Sequence, residues 1–173
     1  ADPFLKRVLV VANRAALEYC RENDVKVGFK VLGAGGIACV SSEMADAGGF
    51  GIELDLELAS LAEADLPDRV AACSETQERF AWAVPRRVTE DILKIYNETY
   101  DLGAMYEGAG ARVIGTVLKP ETGEPRMYRL KRGAEMLVDV PVELITEGVK
   151  YDRPAKPREF KATETPLPLE GRD

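Results

Sequence analysis

The residues best suited to hold a ligand lie in one glycine-rich run, Gly33-Ala34-Gly35-Gly36-Ile37-Ala38. It follows a segment that reads as a strand and opens one that reads as a helix. Glycines at such a junction let the backbone approach an anionic group, and the helix start then stabilises the charge. The spacing Gly33, Gly35, Ala38 fits the G-x-G-x-x-A dinucleotide fingerprint, and Glu53 lies 20 residues after Gly33, on the next strand. Three features oppose that reading. A long helix precedes the strand. Glu53 alternates with apolar neighbours, as a solvent-facing strand residue would. The last third reads as a β-meander, not as repeated βα units. A plain strand-to-helix turn is the third possibility.

Acid–base chemistry is restricted by a count. The 173 residues contain no histidine. Ser-His and Cys-His nucleophile pairs and histidine metal sites are therefore impossible within the chain. A proton carrier here has to be a carboxylate, Lys, Tyr or Cys, or lie on another part of the protein. Cys20, Cys39 and Cys73 are odd in number and widely spaced, which fits free thiols in a reducing compartment. The net charge of −7 without a basic run disfavours nucleic acid, and no apolar stretch approaches a membrane span. Nothing resembles a secretory leader, so a cytoplasmic location is expected. Hydrophobic residues at 46% and charged residues at 31% are ordinary for one globular domain.

The elements that must position these residues follow from periodicity and punctuation. Asp2-Pro3 reads as a helix start. Leu5, Val8, Leu9, Ala12, Ala16 and Tyr19 form a helical stripe running to about Asn23. A strand is expected over 25–32, a helix over 37–47 and a strand over 50–56, where Phe50, Ile52, Leu54 and Leu56 alternate with Gly51, Glu53 and Asp55. Then come a short helix at 66–73, a strand at 79–84 and a helix from Val88 to about Tyr100. A glycine-rich loop is expected over 103–110, strands over 111–118, 126–131 and 135–140, and a short helix over 142–147. Tyr96 reads as a core residue, Trp82 as core or sheet-face packing, and Glu43 as a solvent-facing helical side chain. The pattern predicts an α+β fold with a mixed β-sheet flanked by helices. The folded unit is expected over 1–150, with a Pro- and charge-rich linker or tail over 151–173. A chain that opens on a helix cap and closes in such a linker reads as one piece of a longer protein.

Several blocks, in order and spacing from residue 2 to about 150, carry a resemblance. They are Asp2-Pro3-Phe4, the run Leu32 to Leu56, Ser74-Glu75-Thr76-Gln77-Glu78-Arg79, and Val138-Asp139-Val140-Pro141-Val142. Together they resemble the first C-terminal-type domain of the phosphoribosylformylglycinamidine synthase large subunit, an AIR synthase-related domain. The resemblance implies an AIR synthase C-terminal-domain-like fold. It also implies a part in converting formylglycinamide ribonucleotide, ATP and glutamine-derived ammonia to the amidine, ADP and phosphate. ATP and Mg2+ would serve the full enzyme, with none held tightly by this chain. The partners would be the other domains of the synthase, a glutaminase subunit and a small accessory subunit.

By the resemblance, Glu75, Thr76 and Gln77 match the family's substrate-binding triplet, with Thr76 in place of Ser. Their alternative is a polar turn leading into the strand at 79–84. No catalytic residue is expected on this chain, since the family's histidine and most of its ATP ligands lie in a preceding domain. Gly33, Gly35 and Gly36 would form a phosphate-facing or purely structural turn. The sequence departs from the family at Val31, where an aspartate binds magnesium, and at Lys30, where glutamine is usual. Valine has no oxygen for a hard cation, so no metal ligand is expected there. A dinucleotide-binding oxidoreductase domain and a non-catalytic paralogue serving in assembly are the rival readings.

Overall fold

In the computed structural model, which describes residues 2–61, 65–75 and 78–154, the chain begins on its predicted cap. The Asp2 carboxylate accepts the Phe4 and Leu5 amides at 2.9 and 3.0 Å, and helix α1 runs Pro3–Glu22. Its stripe buries Leu9, Ala12, Ala16 and Cys20. Strand β1 (Gly28–Val31) leads through the glycine turn into α2 (Gly36–Gly48), which ends at Gly49 in the left-handed region. Strand β2 is Gly51–Asp55, followed by a 3-10 turn, and α3 is Asp68–Cys73. Strand β3 (Phe80–Ala83) precedes α4 (Thr89–Lys94), which continues as one π-helical turn, Ile95–Thr99. A short helix α5, Leu102–Met105, stands in the segment expected to be loop from 103 onward. Strands β4 (Gly115–Leu118), β5 (Met127–Arg132) and β6 (Glu135–Pro141) then lead to α6 (Val142–Thr146).

The fold is α+β with a mixed sheet, as the pattern predicted, but the strands divide into two sheets. Four form a mixed sheet in the order β4-β2-β5-β6, with β2 parallel to β5 and antiparallel to β4. The expected β-meander is therefore corrected: β2 inserts between β4 and β5. The reason is burial. Ile52 and Leu54 are the apolar face of β2, and a central position covers them on both edges. The other sheet is an antiparallel ribbon of β1 and β3, pairing Gly28 with Ala83 and Val31 with Phe80.

Each sheet has its own core. Ile52, Leu54, Tyr128 and Leu130 pack under Val40, Ala45 and Val142 from α2 and α6. Leu9, Ala12 and Ala16 of α1 pack with Ile92, Tyr96 and Leu102 beneath the ribbon. A buried polar chain crosses this second core: the Trp82 indole donates to the Tyr96 hydroxyl, 2.9 Å, which donates to Asn13 Oδ1, 2.7 Å. Burial pushes the Tyr96 pKa well up, so the hydroxyl stays protonated and remains a donor. No described helix is long and apolar enough to cross a membrane. The tail expected over 151–173 lies outside the described residues from 155 onward.

Candidate functional site

Antiparallel pairing places the two candidate segments at one end of the ribbon. The end of β1, which runs into the glycine turn, lies beside the start of β3, which the segment 74–79 leads into. The Leu32 amide donates to the Arg79 carbonyl at 3.0 Å and extends the pairing to the rim of both segments. Leu32 and Arg79, 47 positions apart in the chain, thus become neighbours at the end of a ladder of backbone hydrogen bonds.

The three glycines do different work. Gly33 is exposed, and a Cβ there would meet nothing within 4 Å. Gly35 and Gly36 have φ of +72° and +56°, the left-handed region that disfavours a side chain. Gly36 also lies against the end of α3. A Cβ on it would stand 2.6 Å from the Ser74 carbonyl oxygen and 2.9 Å from that of Ala72. The start of α2 therefore rests on the α3 backbone through an atom that is missing, and Ser74-Glu75 emerges next to the turn. Glu75 is exposed. Thr76 and Gln77 lie outside the described residues.

Beyond them the loop is held by Arg79. One guanidinium nitrogen donates to the Ser74 carbonyl at 2.6 Å, so the ends of the loop are tied together. Desolvation lowers the Arg79 pKa, yet a guanidinium stays charged. Glu78 has φ +58°, a left-handed conformation that costs a non-glycine residue about 1–2 kcal/mol. Local strain of this kind is retained where the surrounding contacts over-determine it.

Next to the turn, a groove of about 970 Å3 runs between α2, α3, α6 and the β5–β6 hairpin. Its body is apolar, formed by residues such as Ala38, Ala72, Leu137 and Val138. Its carboxylates are neutralised. Glu43 is paired with Lys30, Asp46 with Arg126 at 2.9 Å and Asp68 with Arg132. Fully buried Tyr128 approaches Ser41 of α2 at 2.9 Å, and Ser41 donates to the Ile37 carbonyl at 2.6 Å. Tyr128 is therefore the donor in this pair, and it fixes the first turns of α2 to the sheet. Neither the groove nor this bond is legible in the sequence, since 87 positions separate Ser41 from Tyr128.

The dinucleotide reading is not supported by the fold. Its βαβ unit needs β1 and β2 parallel in one sheet, whereas they lie in separate sheets and β1 pairs only with antiparallel β3. Glu53, its expected ribose ligand, is ion-paired with Lys131 at 3.0 Å on the other sheet. Glu43 is partly exposed, as expected, but engages Lys30. Tyr96 is core, as expected, and Trp82 is half-buried on β3, in keeping with sheet-face packing.

Known proteins resemble this chain in sequence and in fold. Residues 1–126 match the family described as AIR synthase related protein, C-terminal domain. The chain is 46% identical over 157 residues to phosphoribosylformylglycinamidine synthase subunit PurL of Methanothrix thermoacetophila, covering 91% of this chain and 20% of that protein. The PurL subunit of Thermococcus kodakarensis is 33% identical over 166 residues, covering 95% and 21%. Among solved structures, phosphoribosylformylglycinamidine synthase II of Thermotoga maritima superposes with TM-score 0.66 at 28% identity, covering 95% of this chain and 26% of that one. The T. maritima PurL complexed with FGAR gives TM-score 0.65 at 28% identity, covering 95% and 25%, and further structures of that protein hold ATP or form PurLQS. The chain thus spans about a fifth of the length of the curated relatives it matches. It belongs to the AIR synthase related family, as a C-terminal domain of the kind found in PurL subunits.

Proposed function

We propose that this chain is one domain of a phosphoribosylformylglycinamidine synthase and forms part of the wall facing the ribonucleotide substrate. The observation that carries the reading is the seat of Gly36 on Ala72 and Ser74, which sets the glycine turn beside Glu75. In this reading Glu75, Thr76 and Gln77 contact formylglycinamide ribonucleotide, offering a carboxylate, a hydroxyl and an amide to its polar groups. Gly33, Gly35 and Gly36 shape the rim. Residues 1–150 act as the folded unit and 151–173 as its connection to the rest of the protein.

The reaction is an ATP-dependent C–N ligation. Phosphoryl transfer to the amide oxygen makes that oxygen a leaving group. Ammonia then adds to the carbon, and phosphate departs, giving the amidine, ADP and phosphate. As the family resemblance implies, and in keeping with the lack of histidine here, the acid–base group and most ATP-phosphate ligands belong to a preceding domain; a glutaminase subunit supplies ammonia, and a small accessory subunit is a further partner. The chain alone binds neither ATP nor magnesium tightly and has no catalytic residue of its own. The reading places it in the cytoplasm.

The test uses the intact synthase carrying this domain. Replacing Glu75, Thr76 and Gln77 one at a time by Ala raises KM for the ribonucleotide about tenfold each, the equivalent of one lost hydrogen bond, and leaves KM for ATP alone. An unchanged ribonucleotide KM in all three rejects the reading. Val31 favours a second one, a paralogue retained for assembly. That protein would show no ribonucleotide-dependent ADP formation even when whole.

A further inference from the structure

The corner where β1 meets the glycine turn has the wrong chemistry for the metal that its family resemblance implies. Magnesium demands oxygen ligands in near-octahedral geometry. Val31, at the position of the family's aspartate, offers only hydrocarbon and is 51% exposed at the end of β1. A substitute ligand would have to be a neighbouring carboxylate, and each that lines the adjoining groove is already engaged. Glu43, two turns into α2, is held in an ion pair by the Lys30 ammonium. Asp46 is held by Arg126 and Asp68 by Arg132. Among the described residues, no group of three or more acidic, cysteine or histidine side chains is gathered where a metal could bind.

We infer that this domain has no magnesium site at the glycine turn, because Val31 removes the ligand, Lys30 engages Glu43, and the exposed Glu75 beside the turn is not gathered with two further metal-binding side chains among the described residues. The two departures work together. The first takes away an anionic oxygen. The second adds a positive charge on the adjacent residue, so a dication approaching Glu43 must displace an ammonium already in contact with it. Any magnesium that accompanies the nucleotide is then held entirely by other domains and by phosphate. This inference stands on the two residues and their contacts, whatever substrate the wall at Glu75 faces.

Paramagnetic Mn2+, which shares magnesium's preference for oxygen ligands, provides the probe on the full chain. Amide resonances of residues 28–44 are followed by NMR in the wild type and in the double variant Lys30→Gln/Val31→Asp, with magnesium as competitor. In the wild type, millimolar Mn2+ leaves residues 30–36 and Glu43 no more broadened than the exposed acidic surface elsewhere. The double variant, whose unchanged spectral dispersion shows that it folds, broadens selectively at 30–36 and recovers on adding magnesium. Selective, magnesium-reversible broadening of 30–36 in the wild type overturns the inference. So does a folded double variant that gains no such site, since these two residues would then not be what excludes the ion.

Discussion

Gly36→Ala should damage this protein far more than Gly33→Ala, three residues away in the same turn. At Gly36 two penalties combine. The backbone is left-handed, φ +56°, which costs an alanine about 1–2 kcal/mol. The new methyl would also stand 2.6 Å from the Ser74 oxygen and 2.9 Å from the Ala72 oxygen and the Cys73 carbonyl carbon. All three are backbone atoms of a helix end, and none can swing aside as a side-chain tip would. Separating α2 from α3 to make room is an overpacking of about 1–3 kcal/mol. The sum, about 2–5 kcal/mol, is a large part of the roughly 5–15 kcal/mol that holds a domain folded. Gly33 has open space at its Cβ and no left-handed φ. Alanine there narrows the unfolded ensemble and should be neutral or stabilising by up to about 1 kcal/mol. Urea unfolding of both variants, followed by circular dichroism and by the single tryptophan, Trp82, measures the difference. A Gly36→Ala midpoint within about 0.5 kcal/mol of wild type, or equal losses at the two positions, would refute the close seat of α2 on α3.

Three further outcomes are expected. Asn13→Ala removes the acceptor of the buried Tyr96 hydroxyl and should destabilise by about 2–3 kcal/mol in the same urea assay, since the donor left behind is desolvated and unpaired; a loss under about 0.5 kcal/mol would contradict the network. Tyr128→Phe leaves Ser41 its bond to Ile37, so only about 0.5–1.5 kcal/mol should be lost, with the fold intact by circular dichroism. Asp55 accepts the Gly133 and Glu57 amides, both at 3.0 Å, and these bonds hold its carboxyl below the usual aspartate range. Because the folded pKa is the lower one, this stabilisation is present above the unfolded value, near pH 4, and is lost as pH falls through the folded one. Stability measured against pH should therefore drop less steeply on the acid side for Asp55→Asn than for wild type, and parallel curves would exclude the contribution.

Local signals are legible in the sequence because they are local. Asp2-Pro3 announced α1, since a carboxylate one step before a proline-opened turn meets the free amides there. Alternation over 50–56 announced β2, because a half-buried strand shows its period in consecutive residues. The helix expected from Val88 to Tyr100 was located but not its form. It breaks into a 3-10 turn, an α-helix and a π-turn. The π-turn carries Asn97, whose amide exchanges two hydrogen bonds with the Ala111 backbone, 2.7 and 2.9 Å. That pairing, between residues 14 positions apart, also fixes the chain just ahead of β4, where the expected strand over 111–118 is regular only from Gly115.

Taken alone, the sequence determined the element order, the α+β class, the lack of any histidine-based chemistry and the family that the ordered blocks resemble. It also exposed Val31, because a ligand's chemistry is a property of its side chain. Pairing was decided by the tertiary structure: β2 between β4 and β5, and β1 against β3 in a separate ribbon. Which strands meet depends on burying apolar faces far apart in the chain, and no short window contains that information. The same holds for the glycine run. Its spacing fits a dinucleotide loop and a family turn equally well. Only the backbone of Ala72–Ser74, lying where a Gly36 side chain would be, shows that its last glycine is there to let two helices meet.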